Sequence, residues 1–378
     1  MSFLNLGLAP SLLRALEGQN ITKPYPIQEK AIPSIIFGRD VLGIAKTGSG
    51  KTASYVLPIL MATQGQQELR DRHVATLVIV PTRELAVQVQ EVFQSLGEFL
   101  PRPVKTMAVF GGVSINPQMK GLFGVNVLVA TPGRLLELAE NKAIHLDSVK
   151  TLVLDEADKL LNLGFQEEMN RIFGLLPKKR QNLLFSATLD ENVDQVNKLI
   201  LNNPEVINVA PEEQENNIEL INQTGYFVNE ENKGPLFRYL LDEKDMDQVL
   251  VFVSSIFKAD HLVKKLTKNG IKAAAIHGKK SQGSRTDSLV KFKNKNINVL
   301  VATDLLARGI DIEFLPFVIN YELPRSPKDF VHRIGRTGRA ENPGEAITFV
   351  TPEDAHHFKI IQKKMKKRVD MIESDKLI

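Results

Sequence analysis

Short apolar runs recur along this chain, at a spacing that leaves room for one helix between most neighbouring runs. In the first half they are VLGIA (41–45), TLVIVP (76–81), VNVLVATP (125–132), TLVLDEAD (151–158) and NLLFSAT (182–188), and in the second half QVLVFVSS (248–255), AAAIHG (273–278), INVLVATD (297–304) and EAITFVT (345–351). Runs that are apolar on both faces are typical of parallel strands with helices on both sides of the sheet. The sequence therefore predicts an α/β fold with doubly wound parallel sheets.

The length of the chain favours two domains. A single hydrophobic core rarely organises 378 residues. From about residue 205 the chain becomes rich in Asn, Gln and Glu and loses its long amphipathic period, which is typical of an exposed connection. We predict an N-terminal domain at 1–209, a linker at 210–217 and a C-terminal domain at 218–378. The similar series of runs in the two halves suggests a duplication.

The composition excludes several kinds of chemistry. Because cysteine is absent, disulfides, thiolate nucleophiles, cysteine-ligated zinc and iron–sulfur clusters are excluded. Tryptophan is also absent and aromatic residues make up 6% of the chain, so we expect no broad platform for stacking bases. We find neither a bilayer-spanning apolar run nor a signal-peptide pattern, and no heptad repeat. These features predict a cytoplasmic monomer with no membrane partner.

Positive charge is concentrated in the second half of the chain. The formal net charge is +4, and 27 Lys or Arg face 21 Asp or Glu after residue 217. Between Lys258 and Lys295 there are eleven basic residues and two acidic ones. This segment is either a surface that binds a polyanion or a set of solvated helix faces.

The segment AKTGSGKT at 45–52 has the composition and the context of a phosphate-binding loop. It follows an apolar run and precedes a helix-compatible stretch, so its backbone N–H groups can surround phosphate oxygens at a helix N-terminus. Lys51 would reach the β- and γ-phosphates, and Thr52 would bind Mg²⁺. An ordinary glycine turn is the alternative. The residues of the loop are Ala45, Lys46, Thr47, Gly48, Ser49, Gly50, Lys51 and Thr52.

A second motif supplies the acidic partner that such a loop requires. In TLVLDEAD a mostly apolar run leads to Asp155 and Glu156. Asp155 would hold Mg²⁺, and Glu156 would accept a proton from the water that attacks the γ-phosphate. The alternative is a strand followed by an acidic helix cap. Together the two motifs predict that the chain binds a magnesium nucleoside triphosphate.

Hydrolysis of a nucleoside triphosphate also requires a positive group near the developing negative charge. The segment HRIGRTGR at 332–339 carries four basic side chains that would share one face of a helix if the segment is helical, namely His332, Arg333, Arg336 and Arg339. A solvated basic helix is the alternative. If Arg336 and Arg339 act across the joint, the two halves must close for hydrolysis.

The order of the motifs resembles that of a known family. Over nearly its whole length the chain is similar to the DEAD-box ATP-dependent RNA helicases of superfamily 2, and most similar to the bacterial RhlE-type subgroup. The resemblance implies two tandem RecA-like domains with a cleft for nucleotide and RNA between them. The matching segments are PYPIQ (24–28, with Phe3 upstream), AKTGSGKT, PTRELA (81–86), Gly111 with Gly112, TPGR (131–134), DEAD (155–158), SAT (186–188), VFVSS, HGKKSQGSR (277–285), ATDLLARGID (302–311) and HRIGRTGR.

The resemblance implies roles at the nucleotide for the matching residues. Gln28 is implied to read the adenine edge, which makes ATP the nucleotide, and Asp311 to bind the ribose. Arg336 and Arg339 are implied to contact the γ-phosphate. The implied catalytic set is then Glu156, Lys51, Arg336 and Arg339.

The resemblance also implies contacts to RNA and a link between RNA and hydrolysis. Small residues and arginines at strand ends suit phosphate and 2′-OH recognition, which reads the RNA backbone and not the base sequence. The implied coupling residues are Asp158, Ser186, Thr188 and His332. The implied RNA-backbone contacts are Arg83, Gly112, Thr131 and Arg134 in the first half, and Arg285, Thr303 and Asp304 in the second.

Three residues depart from the family pattern. Ile21 stands seven residues before Gln28, where the family usually has an aromatic ring that stacks on adenine, so weaker ATP affinity is expected. Tyr25 replaces the usual Thr or Ser, and Lys46 replaces the usual Gln. Neither of these two changes removes a catalytic group.

The sequence therefore predicts an ATP-dependent RNA helicase. RNA would stimulate ATP hydrolysis, and closure of the two domains would open short RNA duplexes or remodel RNA–protein complexes. Two alternatives stay open at this point: an ATP-gated RNA clamp with slow turnover, and a translocating DNA helicase.

Overall fold

The computed structural model describes residues 2–45, 48–65, 70–189, 191–209, 221–304, 315–338 and 344–377. The chain divides into two compact units, Met1–Glu212 and Glu213–Ile378. The predicted linker at 210–217 lies outside the described residues, as do Lys46, Thr47, Asp311 and Arg339. Within the described ranges, no helix has the length and apolar character needed to cross a bilayer.

The described part of the first unit forms one parallel sheet of seven strands in the spatial order β3-β4-β2-β5-β6-β1-β7. The strands are β1 Val41–Ile44, β2 Thr76–Ile79, β3 Thr106–Val109, β4 Val127–Ala130, β5 Thr151–Leu154, β6 Gln181–Ser186 and β7 Glu205–Asn208. The helices are α1 Pro10–Gly18, α2 Pro26–Ile36, α3 Lys51–Gln64, α4 Arg83–Gly97, α5 Ile115–Gly121, α6 Pro132–Glu140, α7 Ala157–Asn162, α8 Gln166–Leu175 and α9 Glu191–Ile200.

The second unit repeats this topology. Its described strands form a seven-stranded parallel sheet in the order β10-β11-β9-β12-β13-β8-β14, which is the first order with every number raised by seven. The strands are β8 Asn222–Phe227, β9 Val249–Val253, β10 Ala273–Ile276, β11 Val299–Thr303, β12 Phe317–Asn320, β13 Glu345–Val350 and β14 Asp370–Glu373. The helices are α10 Lys233–Glu243, α11 Ile256–Lys268, α12 Gln282–Lys293, α13 Pro327–Ile334 and α14 Ala355–Met365.

Helices cover both faces of each sheet, which explains why the strands are apolar on both sides. In the first unit α1 to α4 pack on one face and α6 to α9 on the other. In the second unit α10 and α11 pack on one face. Helix α12 packs on the opposite face of this sheet, where its apolar side chains contact residues such as Leu250 and Phe252 of β9. The predicted α/β class with doubly wound parallel sheets is confirmed.

Some strands were not predicted, and most of these have few apolar residues. The segment at 205–208 was assigned to the exposed connection, but it forms the edge strand β7. Its backbone pairs with β1, since Glu205 N donates to Asp40 O at 2.8 Å and Val209 N donates to Ile44 O at 2.9 Å. Only Ile207 of this strand is buried, so hydrophobicity gave no signal.

The start of α11 is fixed by a buried carboxylate on a neighbouring loop. Ser255 Oγ accepts a hydrogen bond from Lys258 N at 3.2 Å and caps the helix. Glu322 accepts hydrogen bonds from Ser254 N, at 2.6 Å, and from Lys258 Nζ. Burial alone would raise the pKa of Glu322, but these hydrogen bonds hold the pKa below its ordinary value. The ionised form of Glu322 is therefore the one that stabilises the folded unit.

This pKa shift predicts a pH-dependent contribution to stability. A carboxyl with a lowered folded-state pKa contributes stability above its unfolded pKa and loses it as the pH falls through the folded pKa. Glu322→Gln should therefore lower the free energy of unfolding at neutral pH by about 1–2 kcal/mol, or roughly 3–6 °C in Tm. Thermal unfolding of the full chain across acidic pH checks this. The difference from wild type should vanish at low pH, and the exposed control Glu231→Gln should change little. A pH-independent difference would contradict this account.

Candidate nucleotide and nucleic-acid sites

The parallel strands bring the motifs of the first unit to one edge of its sheet. The carboxyl ends of β3, β4, β2, β5, β6 and β1 lead, in that spatial order, to Gly111–Gly112, TPGR, PTRELA, DEAD, SAT and AKTGSGKT. The nucleotide motifs are therefore neighbours on one half of the edge, and the predicted RNA motifs are neighbours on the other half. Ligands of open α/β sheets bind beyond this edge.

The phosphate-binding loop begins against the SAT strand. Ala45 N donates a hydrogen bond to Ser186 O at 3.0 Å, which continues the β1–β6 ladder. Gly48 and Gly50 have φ angles of +78° and +83°, which favour glycine, and α3 begins at Lys51. The loop therefore places its last turn at the N-terminus of a helix, as the sequence predicted.

Gln28, the predicted adenine reader, contacts this loop directly. Its side chain is buried, its Oε1 accepts a hydrogen bond from Tyr25 N at 2.9 Å, and its Nε2 donates to Gly50 O at 3.1 Å. A Cβ at Gly50 would lie 2.4 Å from Gln28 Nε2 and 2.8 Å from the Tyr25 ring. With respect to the described residues, each amide atom of Gln28 keeps one further hydrogen-bonding position. Ile21 packs against the hydrophobic core.

Lys51 and Asp155 form the buried centre of the nucleotide half. Lys51 Nζ donates to Ala45 O, and burial lowers the pKa of Lys51 while the nearby Asp155 and Glu156 charges oppose that shift. Asp155 is 2% exposed. Its Oδ1 accepts a hydrogen bond from Glu156 N at 2.9 Å, and burial raises its pKa against the opposing effects of Lys51 and Tyr55. The two predicted phosphate and metal residues are thus adjacent.

Tyr55 is a residue of this centre that sequence reasoning missed. Its hydroxyl donates to Asp155 Oδ2 at 2.7 Å and lies near the Thr52 side chain, so it is beside both predicted metal ligands. The ring is fully buried and lies 5.4 Å from the Phe185 ring, centroid to centroid. Tyr55 follows Lys51 by four residues in α3, and a buried tyrosine usually finds a hydrogen-bond partner. These two signals were available in the sequence.

Glu156 has an unusual backbone and an unsatisfied oxygen. Its φ and ψ angles of 53° and 48° are left-handed, which costs free energy in a residue other than glycine. Oε1 accepts a hydrogen bond from Lys159 Nζ at 2.6 Å, whereas Oε2 is buried with no hydrogen-bond partner among the described residues. Burial, and then the Asp155 charge, raise the pKa of Glu156 above its ordinary value. A carboxylate of this kind can accept a proton. Lys159 was not predicted.

Of the predicted coupling residues of the first unit, Asp158 and Ser186 are buried and Thr188 is partly buried. Ser186 is fully buried, and its Oγ accepts a hydrogen bond from Thr188 N at 3.4 Å. Asp158 Oδ1 and Thr188 Oγ1 are buried without a partner in the described part of the chain. Buried polar atoms are normally satisfied, so these atoms are suited to a ligand, an ordered water or another part of the protein.

The predicted RNA residues of the first unit hold one another in place. The Arg83 guanidinium packs against Gly112, where a Cβ would lie 2.1 Å from Nη2. Arg134 is 5% exposed, and it donates to Val113 O at 2.7 Å and to Glu137 Oε2 at 2.8 Å. Thr131 is also buried. The loops after β2, β3 and β4 therefore form one surface. Arg134 stabilises the loop after β3 through its hydrogen bond to Val113 O.

In the second unit, the predicted RNA residues follow the adjacent strands β10 and β11. Arg285 is buried in α12, after the β10 loop. Thr303 is paired with Val253 at the end of β11, and both carboxylate oxygens of Asp304 accept hydrogen bonds from Arg333. Arg333 also donates to Asn320 Oδ1 at 3.1 Å and lies over the Phe252 ring.

The segment HRIGRTGR does not continue as one helix, so the condition for a shared basic helix face is not met. Helix α13 ends at Ile334 before Gly335, and Arg336 lies in the turn that follows, where its carbonyl accepts a hydrogen bond from Leu315 N at 3.1 Å. His332 is exposed, but Arg333 is buried because it pairs with Asp304. The segment therefore supplies one buried arginine, Arg333, which binds Asp304, and one arginine in the following turn, Arg336. Its Arg339 lies outside the described residues.

Two family models match the chain. The DEAD/DEAH box helicase model covers residues 25–196, and the helicase conserved C-terminal domain model covers residues 232–341. Together they include every motif described above from Gln28 to Arg339, although the first model begins after Ile21. The two models fall within the two compact units.

Named relatives agree with these models. The chain is 39% identical to the ATP-dependent RNA helicase CshA of Limosilactobacillus reuteri, over 96% of this chain and 72% of that protein. It is 40% identical to the DEAD-box ATP-dependent RNA helicase RhpA of Helicobacter pylori, over 98% and 74%. These names do not support the expected RhlE-type subgroup. The structure of Saccharomyces cerevisiae Dbp5 bound to RNA and ADP BeF3 matches with a TM-score of 0.83 and 32% identity, over 99% of this chain and 96% of that one. The chain therefore belongs to the DEAD-box ATP-dependent RNA helicases.

Proposed function

We propose that ATP is hydrolysed at the carboxyl edge of the first sheet, with Glu156 as the proton acceptor and Lys51 as the phosphate ligand. The observation that carries this proposal is the buried Glu156 Oε2, which has no partner in the described residues and belongs to a carboxyl of raised pKa. Such a group can take a proton from a water molecule at a phosphate. Arg336 and Arg339 would supply the positive charge that stabilises the transition state.

We further propose that Mg²⁺ is held by Thr52 and Asp155. Their hydroxyl and carboxylate oxygens are ligands of the type that Mg²⁺ prefers, together with phosphate and water oxygens. The hydrogen bond from Tyr55 to Asp155, made beside Thr52, supports this assignment, because ligands of a metal are usually oriented by such partners. When bound, the cation would neutralise negative charge on the phosphates.

For the nucleotide base, Gln28 would use the free hydrogen-bonding positions of its amide to read adenine. The same side chain touches Gly50, so a base at Gln28 would lie near the phosphate loop. The remaining loop residues, among them Lys46 and Thr47, would surround the phosphates, and Asp311 would bind the ribose.

For RNA, we propose backbone contacts along the other half of each sheet edge. The joined loops around Arg83 and Gly112 support this in the first unit, and the neighbouring ends of β10 and β11 support it in the second. The contacts would be completed by Thr131, Arg134, Arg285, Thr303 and Asp304.

RNA and ATP binding would be coupled, so that each ligand raises the affinity of the other. The coupling residues would be Asp158, Ser186, Thr188 and His332. Closure of domains 1–209 and 218–378 around both ligands would bend the RNA strand and separate short duplexes. The cytoplasmic location and the monomeric state stay predictions.

The first test is the rate of ATP hydrolysis without nucleic acid, with RNA, and with DNA of the same sequence. RNA should stimulate the rate and DNA should not, because only RNA offers the 2′-OH. Glu156→Gln should lower the stimulated rate by at least about 10²-fold, which makes it the blank. Absent stimulation would leave the ATP-gated RNA clamp as the better interpretation, and equal stimulation by DNA would favour a DNA helicase.

The second test concerns the arginine of the turn after α13. Arg336→Ala should lower RNA-stimulated turnover by about 10³-fold or more, because an arginine at the developing charge is worth that much in related reactions. Binding of a fluorescent ATP analogue should remain measurable. The exposed Arg368→Ala is the matched control and should turn over normally. Normal turnover by Arg336→Ala refutes the proposed role.

The third test removes the hydroxyl of Tyr55. Tyr55→Phe should raise the Mg²⁺ concentration for half-maximal ATPase activity by about 10-fold or more, as is typical when the partner of a metal ligand is lost. Binding of a fluorescent ATP analogue should weaken in Mg²⁺ and stay unchanged in a chelator. Tyr226→Phe removes the hydroxyl of a buried tyrosine of the second unit and should behave as wild type. Equal weakening with and without Mg²⁺ would show that Tyr55 only shapes the loop.

A further inference from the structure

Two aromatic rings lie parallel on the solvent face at the start of α11. The rings of Phe257 and His261 are 5.9 Å apart between centroids, with an angle of 9° between their planes. Phe257 is 77% exposed, and every other Phe or Tyr side chain in the described part of the second unit is at least partly buried. Single exposed apolar residues are common, so exposure alone assigns no role to Phe257. The parallel second ring and the surroundings of the pair are the additional observations.

The ring pair lies close to the proposed RNA contacts. Helix α11 follows β9, and β9 lies beside β11 with Val253 paired to Thr303. Phe257 is four residues beyond Val253, at the same carboxyl edge as Thr303 and Asp304. The position of this first turn is fixed by Glu322 through Ser254 and Lys258.

Positive charge continues from the rings along the same helix. Lys264, Lys265 and Lys268 are exposed and follow the ring pair by one to two turns on the solvent side of α11. Asp260 is the acidic residue of this helix, and its carboxylate is occupied by His277 and Lys280, at 3.1 Å each. The surface therefore combines a flat apolar pair with lysines whose charge is not neutralised by an acid on the same helix.

We propose that the Phe257–His261 pair is a stacking platform for a nucleobase of single-stranded RNA, with Lys264, Lys265 and Lys268 near the phosphates that follow. Aromatic rings stack on bases of any sequence, and lysines attract the phosphate chain. The low aromatic content predicted that the chain has no broad stacking platform. Phe257 and His261, four positions apart on α11, nevertheless form a small one. The inference rests on the proposed RNA contacts of the second unit, and it adds a base contact to sites that otherwise read only the backbone.

The absence of tryptophan allows a direct test. The Phe257→Trp variant has one tryptophan, and stacking of a base should quench its fluorescence. The probe is a short oligoadenylate RNA, with and without a non-hydrolysable ATP analogue, and the matched RNA contains abasic riboses in place of the nucleotides. Quenching should occur with oligoadenylate and not with the abasic RNA. Phe37→Trp is the control, because Phe37 is 80% exposed but lies before β1, at the opposite edge of its sheet.

Affinity provides a second measurement. Phe257→Ala should weaken oligoadenylate binding by about 5- to 100-fold, as measured by fluorescence anisotropy. Phe257→Tyr keeps an aromatic ring and should bind oligoadenylate as wild type does. Neither substitution should change the binding of the abasic RNA. Equal quenching by both RNAs would overturn the proposal. Quenching by polyglutamate would also overturn it and would favour an acidic protein as the partner. RNA-stimulated ATPase activity without base-dependent quenching would refute this inference alone, whereas absent stimulation in the wild type would refute the proposed function.

Discussion

The parallel ladder formed by β5, β6 and β1 is the interaction on which the nucleotide site depends. Its register aligns Leu154 with Leu184 and Ile44 with Ser186, so the chain leaves all three strands at the same edge. Asp155, Ser186 and Ala45 are distant in sequence but neighbours in space for this reason. The bond from Ala45 N to Ser186 O extends the ladder into the phosphate loop. A shift of register would separate the loop from its acidic partner.

Charges buried at this edge are held by specific partners. A buried carboxylate is costly unless it is paired or hydrogen-bonded. Asp155 meets this requirement through Tyr55 and a backbone N–H. In the second unit the buried charge is the Arg333 guanidinium, which pairs with the partly buried Asp304. By contrast, Glu156 Oε2 and Asp158 Oδ1 have no partner among the described residues. The paired groups give the edge its shape, and the two unpaired oxygens can accept hydrogen bonds from a ligand, an ordered water or another part of the protein.

Most of the strands with continuous apolar sequences were predictable, because burial on both faces leaves a local signal; β12 is an apolar strand that was not predicted. Edge strand β7 left no such signal, since its backbone pairs with β1 while most of its side chains face water. The position of the Arg333 side chain was not predictable for a different reason. Spacing alone placed Arg333 on a basic face, but its guanidinium gains more from the Asp304 carboxylate inside the unit than from solvent.

The sequence by itself determined the fold class and the two-part organisation and predicted the chemistry of the motifs, because these depend on local patterns. Glycines at 48 and 50, and an apolar run ending in Asp155 and Glu156, can be recognised within one loop or one strand. Only the tertiary structure decided the spatial order of the motifs, the tie between Tyr55 and Asp155, the inward turn of Arg333 and the surroundings of the Phe257 ring. These features depend on strand pairing and on partners far apart in the chain, and local propensity carries no information about either.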